Sequence, residues 1–258
     1  ALLAPFPSAR IWFPASLPTL AKRPLNASQE RAVRTSLTHN LATIIGPPGT
    51  GKTQTAAVIA YLRVQQNDGA LLVCAGSNVA ADNIAERLVA VFTGTPFTVI
   101  RYYASSKEQS PTLPAAASLA THMRDPRDSK SQTTLSQLQQ LLTELGELSE
   151  RDAELMRELK KAAEEEALRS VNVVVCTCSA AGDNRMDGIS FRHVLIDEAG
   201  QIKEPEALVP IVHGAVNVTL IGDANQLGPT CRSPRAAAGG LGVSLFERLL
   251  LLKCTTVM

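Results

Sequence analysis

The sequence predicts an α/β fold, a parallel sheet flanked by helices, on three observations. Short runs of apolar, β-branched residues recur without alternating polar positions, as expected of strands buried on both faces. Helical patterns lie between several of the runs, as the crossovers of a parallel sheet require. A glycine-rich segment joins the first run to the first helical pattern. With 258 residues, 45% of them hydrophobic, the chain can bury a substantial core.

The predicted strands are apolar at almost every position. They span residues 41–45, 70–74, 98–101, 172–176, 193–196 and 217–221. A helical pattern over residues 53–63 follows the first run, and another over residues 78–91 follows the second. This alternation predicts a doubly wound α/β domain.

A long charged segment, residues 132–169, interrupts the alternation. Apolar side chains recur along it at helical spacing, at Leu135, Leu138, Leu141, Leu142 and Leu145 and again at Leu155, Met156 and Leu159. Gly146 and the capping pattern Ser149-x-x-Asp152 mark a turn and the start of a second helix. We predict a helical hairpin inserted into the sheet domain. It is either a solvated helix pair or an element that grips a partner or a nucleic acid strand.

The chain divides into a short lead and one large domain. Residues 1–24 contain prolines that block regular helix, and they are predicted to be an approach segment or a linker. Residues 25–258 are predicted to form the sheet domain, with the insertion at about residues 105–170. The polar, proline-containing stretch over residues 104–130 is expected to be a loop.

Composition restricts the classes of function. The net charge of +1 gives no overall field that attracts a polyanion, so any contact with nucleic acid must be local. The 5 cysteines form no C-x-x-C pair and are predicted to be reduced core thiols. No apolar run is long enough to cross a bilayer, and residues 1–14 do not resemble a signal peptide. We therefore expect a cytoplasmic or nuclear location and no membrane partner.

The glycine-rich segment matches G-x-x-x-x-G-K-[ST], directly after a predicted strand and before a predicted helix. The nucleotide-binding residues predicted from it are Gly46, Pro47, Pro48, Gly49, Thr50, Gly51, Lys52 and Thr53. Glycines let the backbone wrap phosphate oxygens with N–H donors, and the helix N-terminus adds partial positive charge. Lys52 is expected to reach the β- and γ-phosphates of ATP, and the Thr53 hydroxyl to bind Mg²⁺. A chance glycine-rich turn would not predict both flanking elements.

Two carboxylates, Asp197 and Glu198, follow the predicted strand at residues 193–196. The carboxyl ends of parallel strands form the edge that faces ligands. Asp197 is predicted to be a catalytic ligand of Mg²⁺, and Glu198 to orient and activate the attacking water. Alone, such a pair is more often a solvated turn or a helix cap. The phosphate loop upstream favours the catalytic interpretation.

Residues 217–229 again bring polar side chains to the end of a strand. Gln226 is predicted to hydrogen-bond the γ-phosphate or its attacking water, and so to report hydrolysis to other parts of the protein. The alternative is a capped loop in which Asp223 stabilises backbone amides.

These three motifs, in this order, resemble superfamily 1 helicases, and other segments narrow the resemblance to the up-frameshift family of RNA helicases. The segments that support it are residues 25–29, 46–53, 74–78, 143–149, 176–183, 197–201, 222–229 and 244–249. The resemblance implies a RecA-like P-loop NTPase fold that uses ATP and Mg²⁺. Gly76 stands where the family usually has proline, and Asn225 stands where cysteine or arginine is common; neither removes a catalytic group.

The resemblance also implies roles for four further residues. Gln29 matches the residue that reads adenine through its side-chain amide. Ser77, Asn78 and Thr177 match positions that contact the backbone of single-stranded nucleic acid in this family. Contacts to the backbone would make binding tolerant of sequence and sensitive to salt, as expected of a translocating motor.

As a whole, the resemblance implies the first motor domain of an ATP-dependent helicase that moves 5′ to 3′ on single-stranded RNA in nonsense-mediated mRNA decay. Decay and translation-termination factors are the implied partners. The family draws its arginine fingers from a second RecA-like domain, which we expect to lie outside this sequence. Because loss of such a finger costs about 10³–10⁵ in rate, we expect this chain alone to bind ATP but to hydrolyse it poorly.

Three other functions remain open from the residues alone. One is a related helicase that acts on DNA, since a contact to the 2′-hydroxyl cannot be located from sequence. Another is an ATP-gated nucleic-acid clamp without efficient turnover. The third is a small-molecule kinase, which shares the phosphate loop but does not predict residues 222–229 or the insertion. Stimulation of ATP turnover by RNA would exclude the kinase.

Overall fold

The computed structural model describes residues 24–66, 69–104, 117–118, 129–254 and 256–257. Residues 1–23 of the predicted approach segment and most of the predicted loop at 104–130 lie outside these ranges. The domain boundaries drawn from the sequence therefore stay predictions.

In the described part of the chain, seven strands form one parallel sheet. They are β1 (Leu41–Ile45), β2 (Leu71–Ala75), β3 (Val99–Arg101), β4 (Val173–Thr177), β5 (His193–Asp197), β6 (Asn217–Gly222) and β7 (Thr256–Val257). Their order across the sheet is β3-β4-β2-β5-β6-β1-β7, and every pairing is parallel. The predicted parallel sheet is confirmed. Each predicted strand is present with ends shifted by one residue at most, and only β7 was not predicted.

Helices cover both faces of the sheet. They are α1 (Ala27–Thr38), α2 (Lys52–Gln65), α3 (Asn78–Phe92), α4 (Ser129–Leu145), α5 (Glu150–Ser170), α6 (Glu204–Ile211), α7 (Pro234–Ala236) and α8 (Leu245–Leu251). Successive residues of a strand point to opposite faces. In β2, Leu71 and Val73 join a core with α1, α2 and α3, whereas Leu72 and Cys74 join a second core with α6 and α8. The doubly wound arrangement is confirmed.

The carboxyl ends of the central strands lie along one edge of the sheet, called here the carboxyl edge. Ala75 at the end of β2 is in register with Thr177 of β4 and with Asp197 of β5. Ile45 at the end of β1 is in register with Gly222 of β6. Because crossovers return each strand in the same direction, residues far apart in sequence meet at this edge.

The inserted helical hairpin is also confirmed, as α4 and α5 within the crossover from β3 to β4. Gly146 ends α4 with φ +78, and the Ser149 hydroxyl caps α5 by accepting a hydrogen bond from the Asp152 backbone N–H at 3.2 Å. Leu138 is buried, but Leu145 beside the turn is 69% exposed. The apolar stripe is thus covered away from the turn and open to solvent near it.

Cys74, Cys176 and Cys178 are buried thiols, as predicted, whereas Cys231 and Cys254 are half-buried. The sulfur atoms of Cys74 and Cys176 lie 3.7 Å apart on neighbouring strands. Among the described helices, none is long and apolar enough to cross a membrane.

Candidate nucleotide site and nucleic-acid edge

The phosphate loop connects β1 to α2 over the carboxyl edge. The Gly46 N–H donates to the carbonyl of Gly222 at 3.0 Å, which ties the start of the loop to β6. Gly49 and Gly51 have φ of +78 and +83, a left-handed region that side chains with a Cβ rarely adopt. The loop therefore needs glycine at these two positions to turn into the first residue of α2, Lys52.

Two close approaches show how tightly the loop is folded. A Cβ atom added to Gly46 would lie 2.6 Å from the Thr50 hydroxyl oxygen. One added to Gly51 would lie 2.6 Å from Nε2 of Gln29. A side chain at either position would have to displace a neighbouring side chain, and exposed backbone N–H groups at a helix start are groups that bind phosphate. The residues present fit a nucleotide triphosphate.

Side chains from two motifs meet beside the loop. Nζ of Lys52 lies 4.0 Å from Oε1 of Glu198, and the Thr53 hydroxyl faces the Asp197 carboxylate closely enough to lower its pKa. The lysine side chain is 9% exposed and that of Glu198 is 33% exposed. The structure thus brings together the four residues predicted to bind phosphate, hold Mg²⁺ and activate water.

Asp197 is a buried carboxylate in an electrostatically demanding position. The pKa of Asp197 is raised to about 6, mainly by burial and also by the nearby Glu198 charge. The Glu198 backbone N–H, which donates at 3.0 Å, Lys52 and the Thr53 hydroxyl oppose that rise. A hard cation prefers a carboxylate with a neighbouring hydroxyl, and binding it would offset the cost of this buried charge. The donor set fits Mg²⁺.

Glu198 has an unusual backbone conformation, with φ 51 and ψ 37 in the left-handed region. For a residue with a side chain this costs on the order of 1–3 kcal/mol, and such residues cluster at functional sites. The bend turns the chain from β5 into the 3₁₀ turn Ala199–Gln201. It leaves the Glu198 carboxylate half-exposed beside Lys52, where water can reach it.

Gln226 lies at the end of β6 in a chain of side-chain hydrogen bonds. Its Nε2 donates to Oδ2 of Asp223 at 3.0 Å, and its Oε1 accepts from Nε2 of Gln201 at 2.9 Å. Asp223 also accepts from the Asn225 backbone N–H at 2.9 Å, so the capped-loop alternative is present as well. This N–H, the Gln226 amide and the Lys52 charge hold the pKa of Asp223 below its usual range. Sequence reasoning did not identify Gln201 as the residue that joins these two motifs.

Gln29 sits against the phosphate loop at the start of α1. Its Oε1 accepts from the Asn26 N–H and its Nε2 donates to the Thr50 carbonyl, both at 2.9 Å. The Asn26 side chain caps the Gln29 N–H in return, which completes a capping box. One N–H and one lone pair of the Gln29 amide stay available, so its implied contact with adenine stays a prediction.

Ser77, Asn78 and Thr177 lie together at the ends of the adjacent strands β2 and β4. Each already makes a hydrogen bond within the protein. Ser77 caps α3 by accepting from the Ala80 N–H at 3.2 Å, and Thr177 accepts from the Ala180 N–H at 3.2 Å. Oδ1 of Asn78 accepts from the Arg101 guanidinium at 3.0 Å. Their contacts with nucleic acid stay predictions, and each also has a role in the fold.

A buried arginine behind this edge was not predicted. Arg101 ends β3, is 2% exposed and pairs with Oδ1 of Asp82 at 2.7 Å. Its guanidinium lies 3.9 Å from the centre of the Tyr103 ring, and the Tyr103 hydroxyl donates to the same Asp82 oxygen at 2.8 Å. An arginine inside an apolar run was the available signal, because a buried charge requires partners.

A second buried arginine attaches the hairpin to the sheet. Nη1 of Arg185 lies 3.1 Å from Glu164 on α5, and its Nε lies 3.2 Å from Asp183. Its Nη2 donates to the carbonyl of Tyr103 at 3.1 Å. The hairpin and the edge that holds Asn78 are therefore joined through two neighbouring charge networks.

Comparison with known proteins agrees with this geometry. A family model described as an AAA domain matches residues 24–125 and 103–234. A regulator of nonsense transcripts 1 homolog of Arabidopsis thaliana is 45% identical over 228 residues, which are 88% of this chain and 18% of that protein. The ATP-dependent helicase NAM7 of Saccharomyces cerevisiae is 44% identical over 237 residues, 92% of this chain and 23% of that protein.

The crystal structure of T4 UvsW shares the fold, with a TM-score of 0.50 at 10% identity over 92% of this chain and 34% of that one. The chain spans about a fifth of the length of the curated relatives it matches. Over most of its length the chain is similar to the regulator of nonsense transcripts 1 helicases, as its motifs predicted. It has a RecA-like fold and belongs to the AAA domain family.

Proposed function

We propose that the chain is the first motor domain of a helicase, which binds Mg²⁺-ATP at the carboxyl edge and hydrolyses it when single-stranded RNA is bound. The observation that supports this most strongly is the approach of Nζ of Lys52 to 4.0 Å from Oε1 of Glu198. The two residues come from motifs far apart in sequence and meet beside Thr53 and Asp197. Local folding of either motif does not require that meeting.

Each side chain has a place in phosphoryl transfer, which depends mainly on positioning and on charge stabilisation. Lys52 holds the β- and γ-phosphates, while Thr53 and Asp197 hold the metal. When bound, Mg²⁺ neutralises charge on the phosphate oxygens. Glu198 orients the attacking water and accepts its proton. Gln226 hydrogen-bonds the γ-phosphate or that water. Because Gln226 also bonds Gln201, a movement of Gln226 changes the turn after β5.

RNA is the proposed polymer. The relatives are named as ATP-dependent helicases and as regulators of nonsense transcripts, which favours a role in nonsense-mediated mRNA decay with 5′ to 3′ movement. The edge that holds Ser77, Asn78 and Thr177 adjoins the ATP residues, because β2 lies between β4 and β5. Occupancy of one site can therefore shift the strand ends that form the other.

The proposed second domain, protein partners and location rest on the same resemblance. We propose that a second RecA-like domain completes the ATP site and supplies the arginine fingers. Decay and translation-termination factors are the proposed protein partners, and the cytoplasm, with the nucleus as a second location, is the proposed compartment.

A related DNA helicase and an ATP-gated clamp are the alternatives. The clamp binds ATP and nucleic acid with turnover only incidental. The presence of both Asp197 and Glu198 beside the phosphate loop favours hydrolysis over the clamp. The choice between RNA and DNA rests on the relatives' names and on direct measurement.

The test is Mg²⁺-ATP turnover with and without single-stranded RNA, and with DNA of the same sequence. It is made on this chain and on a longer protein that includes the second motor domain, each beside its Lys52→Ala variant. We expect turnover that depends on Lys52 and is stimulated by RNA in the longer protein, and little in this chain. If the longer protein binds ATP and RNA but shows no such turnover, the motor hypothesis fails and the ATP-gated clamp takes its place.

A further inference from the structure

Arg101 is a buried cation that lies behind the edge that holds Ser77, Asn78 and Thr177. It is 2% exposed at the end of β3, where the desolvation of a charge demands paired groups. Asp82 neutralises it at 2.7 Å, and the Tyr103 ring covers it at 3.9 Å. Nη1 donates to the carbonyl of Tyr102, and Nη2 lies 3.5 Å from the backbone carbonyl of Asn78. The last contact is with Oδ1 of Asn78, at 3.0 Å from Nη2.

This last contact fixes the direction of an amide. A guanidinium has only donors, so the atom of Asn78 that faces it must be the carbonyl oxygen. The amide nitrogen then occupies the opposite branch of the side chain. Asn78 is half-buried, and within the described residues its Nδ2 donates to no protein acceptor. Arg101 therefore leaves two N–H donors of Asn78 available at the edge.

The direction of the Asn78 amide matters for nucleic-acid binding because a phosphodiester offers only hydrogen-bond acceptors. An asparagine free to rotate would present its oxygen as readily as its nitrogen, and an oxygen repels phosphate. Asn78 is the first residue of α3, so its side-chain donors stand beside the backbone N–H groups at the start of that helix. An Asn78 amide with its N–H donors toward the strand adds to the donors at this helix start. A reversed amide would place its oxygen toward the phosphate and repel it.

We propose that Arg101 is a positioning residue for nucleic-acid binding: it holds the Asn78 amide with its N–H donors toward a phosphate oxygen of the bound strand. This inference rests on the proposed function. Asp82 and Tyr103 hold the guanidinium from its other sides, so the amide is oriented before the strand arrives. Preorganised donors bind more tightly because no rotamer freedom is lost on binding.

The test is a double-mutant cycle on affinity for single-stranded RNA, measured by fluorescence anisotropy in the full-length protein. The variants are Arg101→Lys, Asn78→Ala and the pair. Lysine keeps a charge beside Asp82 but lacks the planar fork that reaches Asn78. Each single variant is expected to weaken RNA binding about 10-fold, and the double variant no further, because both remove one contact. Additive losses would overturn the proposal.

Two measurements separate positioning from stability. Thermal unfolding shows whether Asn78→Ala and Arg101→Lys are folded at the temperature of the binding assay, and a loss of stability that leaves them folded does not account for a lower RNA affinity. If Arg101→Lys fails to fold, Asn78→Asp decides. A carboxylate still accepts from Arg101, but it offers the strand no donor. We expect it to weaken RNA binding more than 10-fold with the fold intact.

The outcomes distinguish this inference from the proposed function. Wild-type protein that binds RNA, beside an Asn78→Asp variant that binds it equally well, would remove the role of the oriented amide and leave the motor standing. If the wild-type protein binds no single-stranded RNA, both the inference about Arg101 and the proposed function fail.

Discussion

The nucleotide side and the nucleic-acid side of the carboxyl edge are built from neighbouring strand ends, yet their predicted side chains have different partners. On the nucleotide side, Lys52 faces Glu198 at 4.0 Å and the Thr53 hydroxyl helps to lower the pKa of Asp197, so side chains of two distant motifs meet. On the nucleic-acid side, Ser77 bonds a backbone N–H of its own turn. Contacts between motifs indicate a shared ligand, whereas a local cap is sufficiently explained by folding.

The difference is sharpest for catalysis, where we expect the largest effect. Glu198→Gln removes the group that accepts the proton of water and keeps the size of the side chain. RNA-stimulated turnover should fall by about 10²–10⁴, while Mg²⁺-ATP binding is retained. Steady-state ATPase assays and nucleotide titrations on the longer protein measure both. Glu86→Gln, an exposed change on α3, is the matched control and should leave turnover unaffected.

The nucleic-acid side should instead show its largest effects in stability. Glu164→Gln removes the α5 carboxylate that faces buried Arg185, and it should lower the free energy of unfolding by about 3 kcal/mol. The neighbouring Glu165→Gln breaks a partly exposed pair with Lys161 and should cost less than about 1 kcal/mol. Urea denaturation compares the two. Equal costs would mean that Arg185 does not anchor the hairpin.

Two glycines of the phosphate loop and one glycine outside it separate steric clash from backbone strain. Gly51→Ala meets both a positive φ and the Gln29 amide at 2.6 Å, whereas Gly49→Ala meets a positive φ in open space. Gly239 has neither restriction. Strain costs on the order of 1–3 kcal/mol, so unfolding free energy should fall most for Gly51→Ala, less for Gly49→Ala and least for Gly239→Ala. A different ranking in thermal melts would contradict this loop geometry.

The smallest expected effect distinguishes a cap from a contact with RNA. Ser77→Ala and Ser149→Ala each remove a helix N-cap and should each cost about 1 kcal/mol of stability. Only the Ser77 change should weaken RNA binding. Ser77→Asp keeps a good cap, and its negative charge should weaken RNA binding further. An aspartate variant with wild-type RNA affinity would leave Ser77 with a structural role alone.

The fold was predictable because its signals are local. Apolar runs gave the strands within one residue, and Gly146 with Ser149 gave the hairpin turn. The phosphate loop was predictable for the same reason, since its sequence specifies its conformation. β7 was missed because a run of two residues, Thr256–Val257, has no period to detect.

The contacts of charged groups could not be predicted in this way. Arg101 with Asp82, and Arg185 with Glu164, pair across distances in sequence that no periodicity spans. The left-handed φ of Glu198 depends on the packing after β5 rather than on residue type. Nor did the leucine spacing of the hairpin show that Leu145 would be exposed while Leu138 is buried. In each case the tertiary arrangement decides the outcome.

The central claim is that Thr53 and Asp197 hold one metal ion for a bound nucleotide, and a calorimetric titration tests it most directly. ATP is titrated into this chain, with Mg²⁺ and with a chelator, for wild type, Thr53→Ala, Asp197→Asn and the double variant. We predict that Mg²⁺ tightens binding in the wild type, that each single variant loses this gain, and that the double variant loses no more. ATP binding that is indifferent to Mg²⁺, or losses that add, would contradict the shared site.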